Sequence, residues 1–579
     1  MKSLYRSLPL LFVVVCSLSW VNVSAKSHDN FLDCLSSYHP DESSSISKVT
    51  YTETNSSYSP VLESSIRNHR FSTPNTPKPL VIVTPLNISH VQATIRCSKK
   101  HGLQIRTRSG GHDYEGLSYV SHVPFVVIDL VHFKSVEVDV ENEEHGLQIR
   151  TRSGGHDYEG LSYVSHVPFV VIDLVHFKSV EVDVENEEVW VQSGAIVGEV
   201  YYRINERSTN LTFPGAHGYT VGIGGFISGG GDGLLSRKYG LAADNVIDAQ
   251  FVDASGRVLD RRSMGEDLFW AVRGGGGGSF GIVLSWKIKL VHVPSIVTVF
   301  SVGRTLEQNA TQLLHRWQYV APNLPNDVYS LVAISAWKAS ENETRTVLVT
   351  FTSVFQGGAN ELIPLMQERF PELGLVKEDF IEMTWIESVL FINGLSNETS
   401  EALLERNRSL LPPSFKSKSD YVNEPVPEIA LQGLWPQLLE VDEAISAVQT
   451  FIAYGGMMDE ISETETPFPH RKGTLYKIHY NIGWQEEENI RSQRYISWMR
   501  KLYSYMGPFV SKSPRAAYVN YRDLDIGRNN DDGKASYKQA SVWGRKYFKN
   551  NFDRLVSVKT KIDPENFFKH EQSIPPHFH

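Results

Sequence analysis

The sequence predicts an α+β fold in two parts, and three features of the chain predict it. Glycine-rich loops separate short apolar strands and helices in the first half, long amphipathic segments alternate with strands from about residue 297, and a basic helical tail closes the chain. With 579 residues there is room for two or three domains of roughly 150 residues each. Apolar residues make up 41% and charged residues 21%, a balance able to bury large cores. The net charge of −10 is spread with mixed signs and forms no basic stripe, which argues against a nucleic-acid partner.

Residues 1–25 read as a cleaved signal peptide. Lys2 and Arg6 precede the apolar run Leu10–Val15, and Val23-Ser24-Ala25 supplies the small-residue exit. The run is shorter than the roughly 18 apolar residues that read as a membrane span, and no later segment qualifies. The expectation is a secreted protein, extracellular or in the cell wall, with no membrane partner. Cys16 leaves with the leader, and Cys34 and Cys97 are expected to pair in an oxidising compartment. Sequons at Asn55, Asn87, Asn210, Asn309, Asn342, Asn397 and Asn407 predict N-linked glycans.

The elements follow in order. Leu80–Thr84 is an apolar strand, and Ser89 is placed to cap a helix over His90–Lys100. Leu103–Thr107, Phe125–Leu130 and Val136–Val140 read as strands, the last pairing with Val189–Ser193 if one repeat copy is removed. Val246–Val258 reads as a hairpin turning at Asp253–Gly256, Asp267–Val272 as helix, and Ile282–Leu290 as strand. Further on, Ala310–Val320 and Asn360–Arg369 read as helices and Arg345–Thr352 as a strand. The tail carries helices near Ser536–Asn550 and Phe552–Lys561.

Residues His101–Glu144 recur without a change as His145–Glu188. Solenoid repeats diverge and come in three or more copies, so this is read as a tandem duplication or a gene-model error rather than a functional repeat. One copy is expected to sit in the fold, and the other to be an exposed edge or poorly packed.

Three glycine-rich segments could cradle a phosphate-bearing cofactor through backbone N–H groups. They are Arg108–Tyr114 with its duplicate Arg152–Tyr158, Gly222–Gly233, and Arg273–Gly281. None continues into Gly-Lys-Ser/Thr. The one dinucleotide fingerprint, Gly276-x-Gly278-x-x-Gly281, is followed by a strand where a helix is required.

The segments RSGGHDYEGLSY, FPGAHGYTVGIGGFISGGGDGLLSRKYGLAADNV, AVRGGGGGSFGIV, YVNYRDLDIG and DPENFFKHEQSIPP resemble the berberine-bridge-enzyme-like family of plant FAD-linked oxidoreductases. The resemblance implies a vanillyl-alcohol-oxidase (PCMH-type) FAD-binding domain and a substrate domain with an antiparallel sheet. On that reading residues 26–75 are an N-terminal segment and 76–293 the FAD domain. Residues 296–505 are the substrate domain, and 506–579 a tail completing the FAD domain. FAD would attach through one histidine, His112 or His156, because the family's second anchor, a cysteine, is Gly218 here. Arg108, Ser109, Gly110 and Gly111, or Gly154 and Gly155, would flank that bond, with Gly222, Gly224, Gly225 and Gly229 completing the cofactor loops. Tyr521 matches the family's catalytic base and Lys477 the lysine that lowers its pKa. Tyr114 or Tyr158 matches a further active-site tyrosine.

Three further positions depart from the family pattern. His479 replaces a glutamine, Phe226 a histidine and Asp232 a tyrosine. Asp232 reads either as part of a more polar pocket or as a turn residue. Val221 matches a position where valine accompanies oxygen reactivity. His112, His122 and His132 lack metal-ligand geometry, so no metal is expected. The implied activity is oxidation of an alcohol group on a carbohydrate or phenolic alcohol, with molecular oxygen as acceptor. The alternatives are a dehydrogenase that reacts poorly with oxygen and a catalytically weak glycoprotein.

Overall fold

The structure is a computed structural model describing residues 30–38, 45–63, 76, 78–86, 88–108, 125–129, 148–159, 161–162, 169–174, 176–339, 344–406, 408, 412–441, 445–530 and 536–577. Outside them lie the leader, Ser109, Gly110, Gly111, His112, Tyr114, the strand expected at 136–140, and the sequons at Asn87, Asn342 and Asn407. The other four sequon asparagines are exposed.

Three sheets carry the fold. The first contains β1 (Thr50–Thr52), β2 (Val81–Val83), β3 (Gln104–Arg108), β4 (Phe125–Asp129), β5 (Gln148–Arg152) and β6 (Phe169–Asp173), in the order β1-β2-β4-β3-β6-β5. Only β1 runs antiparallel to its neighbour. The β2–β3 crossover is the helix Ile88–Lys100, which buries Ala93 and Cys97 against Val81, Val83 and Ile172. It begins at Ile88, so Ser89 lies inside its first turn rather than capping it. Cys97 is disulfide-bonded to Cys34 of the helix 30–37, with the Cα atoms 5.7 Å apart, as the thiol count predicts.

The second sheet is antiparallel, in the order β11-β10-β12-β8-β7. Its strands are β7 (Val180–Asp183), β8 (Glu188–Gln192), β10 (Val246–Val252), β11 (Val258–Leu259) and β12 (Ile282–Lys289). A two-stranded ribbon, β9 (Leu211–Thr212) with β13 (Val291–His292), stands beside it. The expected helix at Asp267–Val272 is the part of Arg261–Val272 that follows a kink at Gly265, and Asp260 caps the short turn before the kink by accepting from Ser263 N at 2.8 Å.

The repeat copies meet in the first sheet. The second copy supplies β5, β6 and β7, and β7 turns directly into its hairpin with β8. The first copy is not an exposed edge: β3 and β4 are hydrogen-bonded between β2 and β6. The reason lies in identity of sequence. Any surface that pairs with Phe125–Asp129 pairs equally with Phe169–Asp173, so both copies enter the same sheet. β4 pairs with β2, β3 and β6.

The third sheet is a seven-stranded antiparallel layer in the order β17-β14-β16-β15-β19-β20-β18. Its strands are β14 (Val297–Thr305), β15 (Val328–Trp337), β16 (Thr346–Phe355), β17 (Ile381–Met383), β18 (Ser414–Val422), β19 (Ser446–Ala453) and β20 (Tyr476–Trp484). The helices Ala310–Val320 and Ser492–Met506 pack on one face through Trp317, Met499 and Leu502. Alternation along β20 sends Tyr476, Ile478, Tyr480 and Ile482 into that core. Lys477 and His479 therefore point from the opposite face toward the glycine loops.

The tail returns to the first half of the molecule. Its helices Tyr537–Phe548 and Asn551–Ile562 bury Trp543, Phe552 and Leu555 in one core with Phe269 and Trp286. Lys559, fully buried, pairs with Asp563 at 2.6 Å and donates to the Ser279 carbonyl at 2.6 Å, fastening the tail to the third glycine loop.

Candidate active site

A cavity of about 540 Å³ lies between the glycine loops and the inner face of the seven-stranded sheet, a size suited to a small molecule or cofactor. Gly154, Gly155, His156, Gly222, Gly224, Gly225 and Gly229 all line it, as does Tyr158. Among the described residues, the histidine loop that lines it is that of the second repeat copy. Of the corresponding first-copy residues only Arg108 is described, at the end of β3.

One wall is backbone. A Cβ on Gly154 would fall 2.0 Å from Gly222 N, and one on Gly222 would fall 1.8 Å from Gly154 N. The two loops therefore touch main chain to main chain, where only glycine fits. Ser153 Oγ joins them further, accepting from Gly224 N at 2.8 Å while donating to the Ser193 carbonyl. At Gly225 and Gly278 an added Cβ would meet nothing within 4 Å, so these residues border open space in the cavity. Beneath the loop, Arg152 and Asp173 form a buried pair at 2.6 Å, and Arg150 pairs with Glu571 of the tail at 2.5 Å. The Nε2 atom of His156 lies 2.9 Å from the Thr220 carbonyl. A carbonyl only accepts, so Nε2 carries the proton and the lone pair falls on Nδ1.

The other wall is side chain. Tyr521 stacks on Tyr158 with ring centroids 5.1 Å apart and lies 4.4 Å from the His479 ring. Lys477 Nζ stands 4.5 Å over the Tyr521 ring and 4.5 Å over that of Tyr518. Asp232 Oδ2 is 2.5 Å from the same ammonium, with both side chains buried. Asp232 is thus part of the site and not a turn residue. Arg522 holds Asp157 at 2.7 Å and so ties the tyrosine segment to the histidine loop.

The electrostatics add a competing carboxylate to the expected pairing. Lys477 was expected to lower the Tyr521 pKa, yet the phenol is raised well above its ordinary value, by burial first and the Asp232 carboxylate second. The physical reason is that Lys477 already has a closer, charged partner. Tyr518 is pushed up to about 12 by burial, against the pull of Lys477. Burial also opposes the Asp232 charge, but Lys477, His217 and Ser236 outweigh it and hold that carboxyl below its usual range. Burial lowers His217 to about 4, and burial with Lys477 and His217 lowers His479 to about 3, so both imidazoles are neutral at pH 7.

Sequence reasoning missed Tyr518 and the pair His217–Tyr329. Tyr518 lies in the same motif as Tyr521 and accepts from the Gly231 and Asp232 amides, each at 3.1 Å. Its place three residues before Tyr521 was the available signal. Tyr329, which hydrogen-bonds His217 from β15, carried none, because only the sheet register brings it there.

Comparison with known proteins bears on what this cavity holds. The family described as "Berberine and berberine like" matches residues 517–575, and "FAD binding domain" matches residues 79–144 and 141–261, the two matches meeting where the repeat copies join. The chain is 45% identical over 581 residues to tetrahydroberberine oxidase from Berberis wilsoniae, covering 100% of this chain and 99% of that one. It is 47% identical over 576 residues to monolignol oxidoreductase AtBBE-like 13 from Arabidopsis thaliana, covering 98% and 97%. The structure of Phl p 4, a grass pollen allergen with glucose dehydrogenase activity, superposes with a TM-score of 0.80 at 39% identity, covering 95% of this chain and 100% of that one. The backbone cradle, the open space beside Gly225 and Gly278, and the imidazole at the rim fit an FAD molecule.

Proposed function

The chain belongs to the berberine-bridge-enzyme-like family of FAD-dependent oxidoreductases, and from that premise we propose that it is an exported oxidase of alcohol groups on a carbohydrate or phenolic alcohol. The observation that carries this reading is the Tyr521 phenol stacked in the cavity among Tyr158, His479 and Lys477. FAD bound there supplies the acceptor for a hydride. The chain's own residues do the rest. Backbone amides of the 152–158 and 222–229 loops would cradle the dinucleotide, and His156, the candidate among the described residues, would hold it by a single covalent bond, since Gly218 offers no second anchor.

Tyr521 would act as general base in its phenolate form, the minor form at pH 7, taking the hydroxyl proton to become the phenol. His479, neutral, accepts a hydrogen bond from the same hydroxyl or its neighbour and orients it. Similar proteins act on comparable groups: one is named a monolignol oxidoreductase, another has glucose dehydrogenase activity. Val221 lines the cavity, and its small side chain supports oxygen as the acceptor with hydrogen peroxide as the second product. The leader sequence and the four exposed sequons support export and glycosylation.

Peptide mass spectrometry of the holoenzyme should find FAD on one histidine peptide and on no cysteine, and turnover under air should release peroxide. Freely dissociable FAD would remove the covalent anchor from this reading. Rapid reaction with a quinone but none with oxygen would make the enzyme a dehydrogenase.

A further inference from the structure

The Asp232–Lys477 pair sits where a charge would decide the ionisation of Tyr521. His217 and Asp232 approach from the glycine loop, Tyr329 from β15, Tyr421 from β18 and Tyr454 from the end of β19. Lys477 and His479 come from β20, Tyr518 from the tail, and His156 and Tyr158 from the histidine loop. Arg522, next in sequence, is bound to Asp157. Of the groups on the Tyr518–Tyr521 side, Lys477 and Asp232 carry the charges, and they carry them 2.5 Å apart.

We propose that Asp232 is a positioning residue, cancelling the charge of Lys477 while holding its ammonium over the Tyr518 and Tyr521 rings, and so keeping Tyr521 a neutral phenol in the resting enzyme. The geometry separates the two tasks. Position is set by the short contact to Asp232 Oδ2, whereas influence on the phenolate depends on net charge, which the contact removes. The Asp232 amide also donates to Tyr518 Oη, so the carboxylate, the ammonium and both phenols form one fixed group. The catalytic consequence rests on Tyr521 being the base; the electrostatic content does not.

The experiment is a tyrosinate titration of the holoenzyme in the near ultraviolet, with the Tyr521→Phe signal subtracted in each background. In Asp232→Asn the Tyr521 titration should move down by about one pH unit or more, which is about ten-fold more phenolate at a given pH. The direction follows because the carboxylate that repels the phenolate is gone. Asp232→Glu keeps the charge and should titrate like the parent. A titration unmoved or raised in Asp232→Asn, or a glutamate variant that behaves like the asparagine one, overturns the proposal.

Should Asp232→Asn fail to bind FAD, Lys477→Met gives the reciprocal test. Asp232 then stands uncompensated and the Tyr521 titration must rise, so no rise overturns the proposal as well. The pH dependence of flavin reduction is read separately. A tyrosinate titration that shifts while the rate profile stays put would support the pairing and remove Tyr521 from the role of base.

Discussion

The two walls of the cavity are built by different physics. The glycine wall is main chain against main chain, with Gly154 and Gly222 so close that neither tolerates a Cβ. The sheet wall is made of side chains from four separate stretches of sequence, held by one buried ion pair and a stack of rings. A steric wall fails all at once when it is changed, and an electrostatic wall fails by degrees. Gly222→Val tests the first half of that contrast. Its branched side chain would meet the 154 backbone directly, so the variant should lose FAD altogether, measured as flavin absorbance per chain after purification. Near-normal flavin content would show that the loops can part and that the wall is not rigid.

Tyr521→Phe tests the other half. It leaves the ring stack with Tyr158 and His479 in place and removes one hydroxyl, so FAD content and thermal stability should stay close to the parent. Flavin reduction by substrate should slow by about 10²-fold or more, the scale of losing a general base. A variant that reduces its flavin at the parent rate would leave Tyr521 as packing, and the sheet wall would then act by shape, as the glycine wall does.

The same contrast explains what could be read from the sequence. Glycine runs declare themselves because their cause is local: a loop that touches backbone needs glycine at each point of contact. The tail helices and the helix Ala310–Val320 were legible through their apolar periodicity, and β10–β11 through the turn residues between them. The Cys34–Cys97 bridge followed from having two thiols left. Asp232 stayed ambiguous because its meaning depends on Lys477, 245 residues away, and on which face of β20 that lysine takes. For the same reason the motif that paired Lys477 with Tyr521 gave the right neighbours but not the burial and the carboxylate that raise the phenol. Proximity was legible, but the competing carboxylate was not.

The smallest effect expected comes from deleting residues 101–144, which joins Lys100 to His145. In the present sheet β2 pairs with β4 through Val81↔Val126, Ile82↔Val127 and Val83↔Ile128. The same three residues recur in β6 as Val170, Val171 and Ile172, so β2 can take β6 in the same register. β3 lies on β4 through Gln104↔Phe125 and its successors, and β5 already lies on β6 through the equivalent Gln148↔Phe169. The shortened sheet therefore keeps every type of contact the longer one has. It loses only the pairing of the two identical strands β4 and β6. The histidine loop, β7 and β8 stay as they are, and with them both walls of the cavity. The deleted protein should bind FAD fully, reduce it at the parent rate, and melt at the same temperature or slightly higher, about 1 °C for each kcal/mol gained. A single histidine then remains to carry the cofactor, so the peptide bearing FAD must come from the surviving loop. Loss of FAD on deletion would mean that the extra strands support the glycine wall, and that the duplicated segment had become a working part of it.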